Sequence, residues 1–159
     1  GHGVWKVRFL LEKSGRFKIG GQPINQTNSP VKVALAKEPI DRNNLFFYHK
    51  TSYRQIYEPF QPKNASIFDI LLWNENHELT EFTNGNIVLE IDGQLWTPPV
   101  DSGLLAGTFR NLLIEMGVIQ ERVITISDLK KSNKLWFINS VRKWLQAELI
   151  DLQKTVDSE

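Results

Sequence analysis

Short runs of β-forming residues, separated by turn residues, recur along most of this chain and restrict its fold more than any other feature. Turn signals such as Ser14-Gly15 and Asp92-Gly93 divide the runs, and Asp-Gly between two alternating runs is typical of a tight hairpin. All five tryptophans fall within these runs. The predicted strands are residues 4–12, 16–19, 31–35, 45–48, 68–73, 79–82, 87–91, 94–97, 119–126, 135–138 and 143–149.

Helical spacing is clearest in one place, where four apolar residues recur at i, i+3, i+4 and i+7 and Gly117 follows them. A short helix capped by Thr51 is expected to run through Ile56-Tyr57 and stop at Pro59, and another is expected over residues 127–131. The fold class is therefore α+β, dominated by strands, with one long helix. The apolar stripe of that helix consists of Phe109, Leu112, Leu113 and Met116.

Length and composition allow a single domain with an ordinary core, since 41% of the 159 residues are hydrophobic. The net charge of +1 gives no indication of nucleic acid or a membrane surface as partner, and no run approaches the roughly 20 apolar residues that span a bilayer. The absence of cysteine excludes disulfides and thiolate metal sites, and it fits a cytoplasmic location without requiring one. Gly1-His2 is interpreted as the remnant of a cleaved tag.

Lys50 follows the apolar run 45–48 and is a candidate for covalent chemistry. A lysine in such a place is most often a solvated strand end. If it is instead held near the floor of a pocket, partial burial lowers its pKa, and the neutral amine can form a Schiff base and act as a general base.

Glu81 ends a short predicted strand and is a candidate partner for a cationic ring nitrogen. Its commoner role would be that of a surface carboxylate. A carboxylate that keeps a pyridine nitrogen protonated would instead support an electron sink.

Two further segments could bind an anion. Leu105-Ala106-Gly107-Thr108 opens the predicted long helix, where backbone N–H groups can receive a phosphate, although simple helix initiation explains it equally well. Asn139-Ser140 follows the strand 135–138 and offers an amide and a hydroxyl, or only a turn. The histidines at positions 2, 49 and 77 have no metal-ligand spacing, so no metal site is predicted.

These candidates occur in an order that resembles the class IV pyridoxal-phosphate enzymes. Phe47-Tyr-His-Lys-Thr matches the stretch around that family's Schiff-base lysine, and the similarity is firm from residue 45 to 143. The other motifs are Asp69-Ile-Leu-Leu-Trp-Asn-Glu-Asn, Leu79-Thr-Glu-Phe-Thr-Asn-Gly-Asn-Ile-Val, Leu95-Trp-Thr-Pro-Pro, Gly103-Leu-Leu-Ala-Gly-Thr-Phe-Arg and Trp136-Phe-Ile-Asn-Ser-Val-Arg.

The resemblance implies the strand-rich large domain of the class IV fold, similar to D-amino-acid aminotransferase, with a barrel-like sheet and one long helix. Residues 31–150 would form this domain, residues 1–30 a preceding segment and linker, and residues 151–159 a polar, frayed tail. Pyridoxal 5'-phosphate is the implied cofactor, with Lys50 as the catalytic lysine that carries it. The other implied cofactor-binding residues are Glu81 at the pyridine nitrogen, Leu105 on the ring, and Gly107, Thr108, Asn139 and Ser140 around the phosphate.

The implied reaction is that of an aminodeoxychorismate lyase, which converts 4-amino-4-deoxychorismate to 4-aminobenzoate and pyruvate in folate biosynthesis. Trp5-Lys6-Val7-Arg8 is similar to a strand in proteins that fuse the corresponding synthase to the lyase, which favours this reaction. A class IV aminotransferase acting on branched-chain or D-amino acids is the alternative, and a non-catalytic interaction domain is a second one.

The resemblance also carries expectations about partners. Class IV enzymes have a small N-terminal domain, and nothing before residue 31 is seen to resemble it, so the chain is expected to be a fragment that lacks a small or synthase domain. Such a fragment should bind cofactor poorly, expose Lys50 and Glu81 on an open face, and tend to form a homodimer. One departure from the family is Tyr53, which stands where many members have asparagine.

Overall fold

The computed structural model of the protein describes residues 3–150. The predictions for Gly1-His2 and for the tail from Asp151 lie outside these residues. Ten strands and two short α-helices make up the described structure, so the strand-rich α+β prediction is confirmed. The strands are β1 (Trp5–Leu11), β2 (Phe17–Pro23), β3 (Val31–Leu35), β4 (Asp69–Trp73), β5 (Leu79–Phe82), β6 (Gly85–Ile91), β7 (Gln94–Thr97), β8 (Gln120–Glu121), β9 (Lys134–Asn139) and β10 (Lys143–Leu149).

Six strands close into a barrel. Their order is β5-β4-β3-β10-β9-β6, and pairing of β5 with β6 closes the ring, while β7 and β8 extend the sheet beyond β6. The closing hairpin pairs Glu81 with Asn86 and Phe82 with Gly85. A Cβ on Gly85 would lie 2.6 Å from the Phe137 ring, so glycine lets the hairpin approach β9. Closure also removes free sheet edges in this part of the fold.

Strands β4 and β6 are buried on both faces over almost their whole length. Alternate residues such as Val33, Leu71 and Phe137 form the main core, and residues of the opposite parity form two smaller clusters. One of these clusters packs under the segment 45–60, and the other packs under the first α-helix. Burial on both faces explains why these strands appear in the sequence as nearly continuous apolar runs.

Helix α1 (Thr108–Glu115) and helix α2 (Ile126–Lys131) are both short. The predicted apolar stripe of α1 is only half correct, because Leu113 is buried whereas Leu112 and Met116 are exposed. Gly117 follows α1 with a positive φ of 67°, as its position after the helix predicts. A capping box between Thr125 and Asp128 starts α2.

The segment before and after Lys50 contradicts two predictions. Leu45–Phe47 is a 3₁₀ helix and not a strand, since the Asn44 side chain accepts a hydrogen bond from the Phe46 amide and caps a turn. The next 3₁₀ helix, Gln55–Phe60, has Arg54 as its N-cap, so the predicted cap at Thr51 is wrong. Pro59 lies inside this helix and does not end it. Thr51 instead accepts a bond from the Tyr53 amide in a local turn.

The predicted strand 119–126 is wrong over most of its length, because only Gln120–Glu121 forms a strand, paired with β7, and Thr125 makes only an isolated bridge with Glu78. Thr125 also caps α2, so the chain turns into a helix at this point. The predicted hairpin β1–β2 forms in a separate two-stranded sheet, but β2 continues to Pro23, past its predicted end at residue 19. None of the helices within residues 3–150 is long and apolar enough to cross a lipid bilayer.

Candidate active site

Glu81 lies at the seam where the barrel closes and is only 4% exposed. Its Oε1 accepts a hydrogen bond from the Tyr57 hydroxyl at 3.0 Å, and its Oε2 accepts one from the Leu105 amide at 3.2 Å. Burial raises the pKa of Glu81 to about 8, although both hydrogen bonds and the charge of Lys50 act in the opposite direction. Within the described part of the chain, no ion pair reaches this carboxylate. The expectation that Glu81 lies exposed is therefore wrong, because the segments that carry Tyr57 and Leu105 pack against its carboxylate.

Lys50 follows the first 3₁₀ helix and is exposed, as expected for that residue. Partial desolvation of its ammonium group lowers the pKa of Lys50, and the charge of Arg54 lowers it further. The charge of Glu81 opposes this shift, so the two groups influence each other's protonation although no direct contact joins their side chains. Lys50 is thus an accessible amine whose neutral form is favoured more than that of an ordinary surface lysine.

Arg54 connects the 3₁₀ helix Gln55–Phe60 to the turn after β5. Its guanidinium donates to the carbonyl oxygen of Thr83 at 2.7 Å and to Oδ1 of Asn84 at 3.2 Å, and it lies 4.2 Å from the centre of the Tyr57 ring. These contacts fix Tyr57 against Glu81. The charge of Arg54 also falls on the same side of the barrel as Lys50.

The Asp69 side chain is hydrogen-bonded to the turn that follows β5. This buried carboxylate accepts bonds from the amides of Ile70, Thr83 and Asn84, from the Thr83 hydroxyl at 2.6 Å, and from the Asn84 side chain. Burial raises the pKa of Asp69 while these donors counteract the shift. The bonds order the turn that joins Glu81 to Asn86.

The N-terminus of α1 faces the same region. Gly107 is its N-cap, and no side chain within residues 3–150 caps the helix, so its first amides remain available. The Thr108 hydroxyl lies 2.7 Å from that of Ser140. Asn86 donates to the Leu105 carbonyl oxygen at 2.9 Å and leaves no room for a Cβ on residue 107. Two hydroxyls and a set of free amides are a suitable donor set for a phosphate.

Asn139 lies between these groups and the turn after β5. Its Nδ2 donates to the Asn84 carbonyl oxygen at 3.0 Å, and its Oδ1 accepts from the amides of Val141 and Arg142. The side chain thereby shapes the β9–β10 turn that presents Ser140. A direct phosphate contact from Asn139 stays a prediction.

A circuit of contacts connects the cofactor-binding candidates singled out in the sequence, except Lys50, which takes part in none of these contacts. From Glu81 it passes through Leu105 and Asn86 to Gly107-Thr108, then through Ser140 and Asn139 to Asn84, and returns through Arg54 and Tyr57. Tyr53 makes none of these contacts, and its ring lies 4.6 Å from that of Phe46.

The sequence prediction missed Arg54, Tyr57, Asp69 and Asn86. No periodic pattern connects a residue of a 3₁₀ turn with a strand 24 positions later, as Tyr57 is connected with Glu81. Asp69 is a charged residue inside the predicted strand 68–73, which is unusual for a buried position, and this is the one signal that could have indicated a role.

The donors and acceptors of this site suit a flat molecule with a phosphate at one end and a cationic ring nitrogen at the other. The free amides and hydroxyls at the start of α1 suit the phosphate, and the buried carboxylate of Glu81 suits the nitrogen. Lys50 offers a nucleophilic amine. Burying a carboxylate without a cation is costly, so a cationic partner for Glu81 would relieve that cost.

Comparison with known proteins gives consistent relatives. The model of the amino-transferase class IV family matches residues 19–150. A candidate aminodeoxychorismate lyase of Schizosaccharomyces pombe is 31% identical over 154 residues. A candidate amino-acid aminotransferase structure from Mesorhizobium loti has a TM-score of 0.85 at 31% identity, and a candidate 4-amino-4-deoxychorismate lyase structure from Legionella pneumophila has a TM-score of 0.77 at 21% identity.

The matched lengths show how the chain relates to these proteins. It spans 67% of the yeast protein, 73% of the Mesorhizobium chain and 53% of the Legionella chain. The three matches cover 91%, 92% and 86% of this chain, respectively. Residues 31–159 make up only 81% of this chain, which is less than any of the three matched shares. The similarity therefore extends into the segment before residue 31, which the sequence alone does not connect with the family.

Proposed function

Because this chain belongs to the amino-transferase class IV family, we propose that it carries the cofactor site of a pyridoxal-phosphate-dependent 4-amino-4-deoxychorismate lyase. The products would be 4-aminobenzoate and pyruvate. The observation that carries the proposal is the buried Glu81 carboxylate, which has no cationic partner in the described chain and is held by the Tyr57 hydroxyl and the Leu105 amide. The yeast relative named for the same lyase supports the choice of reaction.

Residues of this chain would hold the cofactor at four points. Glu81 would accept a hydrogen bond from the pyridine nitrogen, and the first amides of α1 with Thr108 and Ser140 would bind the phosphate. Lys50 would hold the aldehyde carbon, and Leu105 would pack on the ring, as the resemblance implies. When bound, pyridoxal phosphate supplies a protonated ring that withdraws electrons from the amine-bearing carbon.

Lys50 would move the proton in this reaction. As a neutral amine it would accept the proton from the amine-bearing carbon of the substrate, and its lowered pKa increases the fraction of neutral amine near pH 7. The resulting ammonium could return a proton to the departing enol of pyruvate. Loss of pyruvate leaves an aromatic ring, so the overall change needs no oxidant.

A class IV aminotransferase remains the second candidate. The Mesorhizobium structure, named for amino-acid transamination, has the same identity to this chain as the yeast lyase relative. Lys50 and Glu81 would serve both reactions, because both begin with removal of the same kind of proton. We also propose that a small domain and a second subunit complete the substrate pocket, as the sequence resemblance implies.

Borohydride labelling tests the cofactor assignment. The chain would be saturated with pyridoxal phosphate, reduced and digested, and we expect the label on the Lys50 peptide. Lys50→Ala should abolish labelling, whereas Lys63→Ala, at an exposed loop position, should not. Label on another lysine in the wild type would overturn the assignment.

Product analysis separates the two reactions. With 4-amino-4-deoxychorismate, a lyase forms 4-aminobenzoate and pyruvate in equal amounts. With D-alanine or a branched-chain amino acid, an aminotransferase converts the bound cofactor to its amine form. Amine formation without 4-aminobenzoate would reject the lyase and favour the second candidate.

A further inference from the structure

Tyr57 is held against Glu81 by contacts that fix both its ring and its hydroxyl. The residue is 6% exposed, its ring meets Phe47 edge-on at 5.5 Å, and the Arg54 guanidinium covers the ring face. The hydroxyl donates to Oε1 of Glu81 at 3.0 Å. Packing alone would need only the ring, so the hydroxyl requires a separate explanation.

We propose that Tyr57 is a positioning residue for this site, whose hydroxyl keeps the Glu81 carboxylate ionised and oriented toward a cationic ring nitrogen. The inference rests on the proposed function, since that nitrogen belongs to the proposed cofactor. No bond is made or broken in this role. The Tyr57 hydroxyl affects only the equilibrium of one proton between Glu81 and the ring nitrogen.

That proton has two alternative positions. It can reside on the ring nitrogen, giving a carboxylate and a pyridinium, or on Glu81, giving a carboxylic acid and a neutral pyridine. Burial disfavours the charged pair, which is why the pKa of Glu81 rises to about 8. Hydrogen bonds donated to the carboxylate favour the charged pair. Only the pyridinium withdraws electrons strongly enough for the proposed reaction.

The two donors to Glu81 differ in one respect. The Leu105 amide is part of the backbone, whereas the Tyr57 hydroxyl belongs to a side chain that substitution can remove. Burial and the charge of Glu81 raise the pKa of Tyr57 well above its usual value, so its hydroxyl stays protonated and donates to the Glu81 carboxylate, which in its ionised form can only accept. An ionised carboxylate has about four acceptor positions, so two donors leave room for the ring nitrogen.

Tyr57→Phe removes the hydroxyl and keeps the ring. The matched control is Tyr48→Phe, which removes a partly buried hydroxyl that donates to the Arg42 carbonyl oxygen at 2.8 Å. The first readout needs no cofactor: infrared spectroscopy of the full chain follows the C=O band of protonated Glu81 against pH, identified by its loss in Glu81→Gln. We expect Tyr57→Phe to raise the titration midpoint by about one pH unit, the effect of one hydrogen bond to a charged group. An unchanged midpoint would overturn the role.

The second readout uses pyridoxal phosphate labelled with ¹⁵N in the ring, whose nitrogen chemical shift reports protonation. Tyr57→Phe should shift the bound signal toward the unprotonated form near pH 7.5, and Tyr48→Phe should leave it unchanged. If the wild type binds no cofactor at saturating concentration, the proposed function fails, while the infrared titration still decides the role of Tyr57.

If the Tyr57→Phe variant does not fold, a fluorinated tyrosine at position 57 provides a second test of the role of its hydroxyl. The chain has three tyrosines, so the Tyr48→Phe/Tyr53→Phe background leaves Tyr57 alone. Replacing it with 3-fluorotyrosine gives a more acidic hydroxyl and a stronger donor at nearly the same volume. The infrared midpoint should then move down, and a midpoint that stays or rises would contradict the proposal.

Discussion

The side-chain oxygen of Asn86 occupies the place where residue 107 would carry a Cβ, so glycine alone fits at the N-cap of α1 while Asn86 stays in position. The φ of Gly107 is −62° and its ψ is 139°, values that other residues adopt freely. Glycine is therefore required at position 107 because a larger residue would clash with Asn86. The backbone conformation at this position would allow other residues. The contact connects the barrel seam at Asn86 with the proposed phosphate site at Thr108.

Gly107→Ala should displace Asn86 and weaken its bond to the Leu105 carbonyl oxygen. We expect the free energy of unfolding to fall by about 1–3 kcal/mol, as measured by urea denaturation. Gly20→Ala is the control, because a Cβ there meets nothing within 4 Å. In the double variant Gly107→Ala/Asn86→Ala the two costs should be less than additive, since the second substitution removes the clash. Full additivity would show that the contact is not responsible.

Glu81 should make stability depend on pH. Its pKa of about 8 in the folded protein exceeds its ordinary value of 4.5, so between these pH values the folded state holds a proton that the unfolded state lacks. Stabilisation from the neutral carboxyl is therefore full below pH 4.5 and is lost as pH rises through 8, with a slope of at most about 1.4 kcal/mol per pH unit. Urea denaturation between pH 5 and 9 measures the slope. Subtracting the curve of Glu81→Gln isolates this group from Asp69, and identical slopes would refute the shifted pKa.

Arg54→Gln should make Lys50 less reactive, because the charge of Arg54 helps to lower the pKa of Lys50. The pKa of Lys50 would rise toward its ordinary value and the neutral fraction at pH 8 would fall. Arg54 is exposed, so the loss in acylation rate should stay below about tenfold. Mass spectrometry of the Lys50 peptide during acetic anhydride labelling provides the measurement. Arg54→Lys retains the charge and should react almost like the wild type; equal loss in both variants would point to geometry instead.

Asp69→Ala should destabilise the turn that supports Glu81. The substitution removes the carboxylate that accepts bonds from the Ile70 amide and the Thr83 hydroxyl, and we expect a loss of about 2–4 kcal/mol in the free energy of unfolding. Asp41→Ala is the matched control, since its carboxylate accepts two bonds from exposed Asn43. That control should change stability by no more than about 0.5 kcal/mol. Similar losses in both variants would contradict a special role for Asp69.

The sequence by itself determined most of the strands and the two hairpin turns, because alternation and turn residues are local properties. Asp92 and Gly93 both have positive φ, as a two-residue hairpin turn requires. The sequence failed at 45–48 and 119–126, where apolar runs suit a strand but local capping by Asn44 and Thr125 prevails. Short apolar runs do not distinguish a strand from a buried turn.

Motif order in the sequence identified the family and the candidates Lys50, Glu81, Leu105, Gly107, Thr108, Asn139 and Ser140. Only the tertiary structure decided how they meet. Packing of the segments that carry Tyr57 and Leu105 against β5 buries Glu81, and this burial, which no local pattern predicts, raises its pKa. Tyr57 and Asn86 acquire their roles through contacts between segments far apart in the chain, and the distances that define such contacts exist only after the chain has folded.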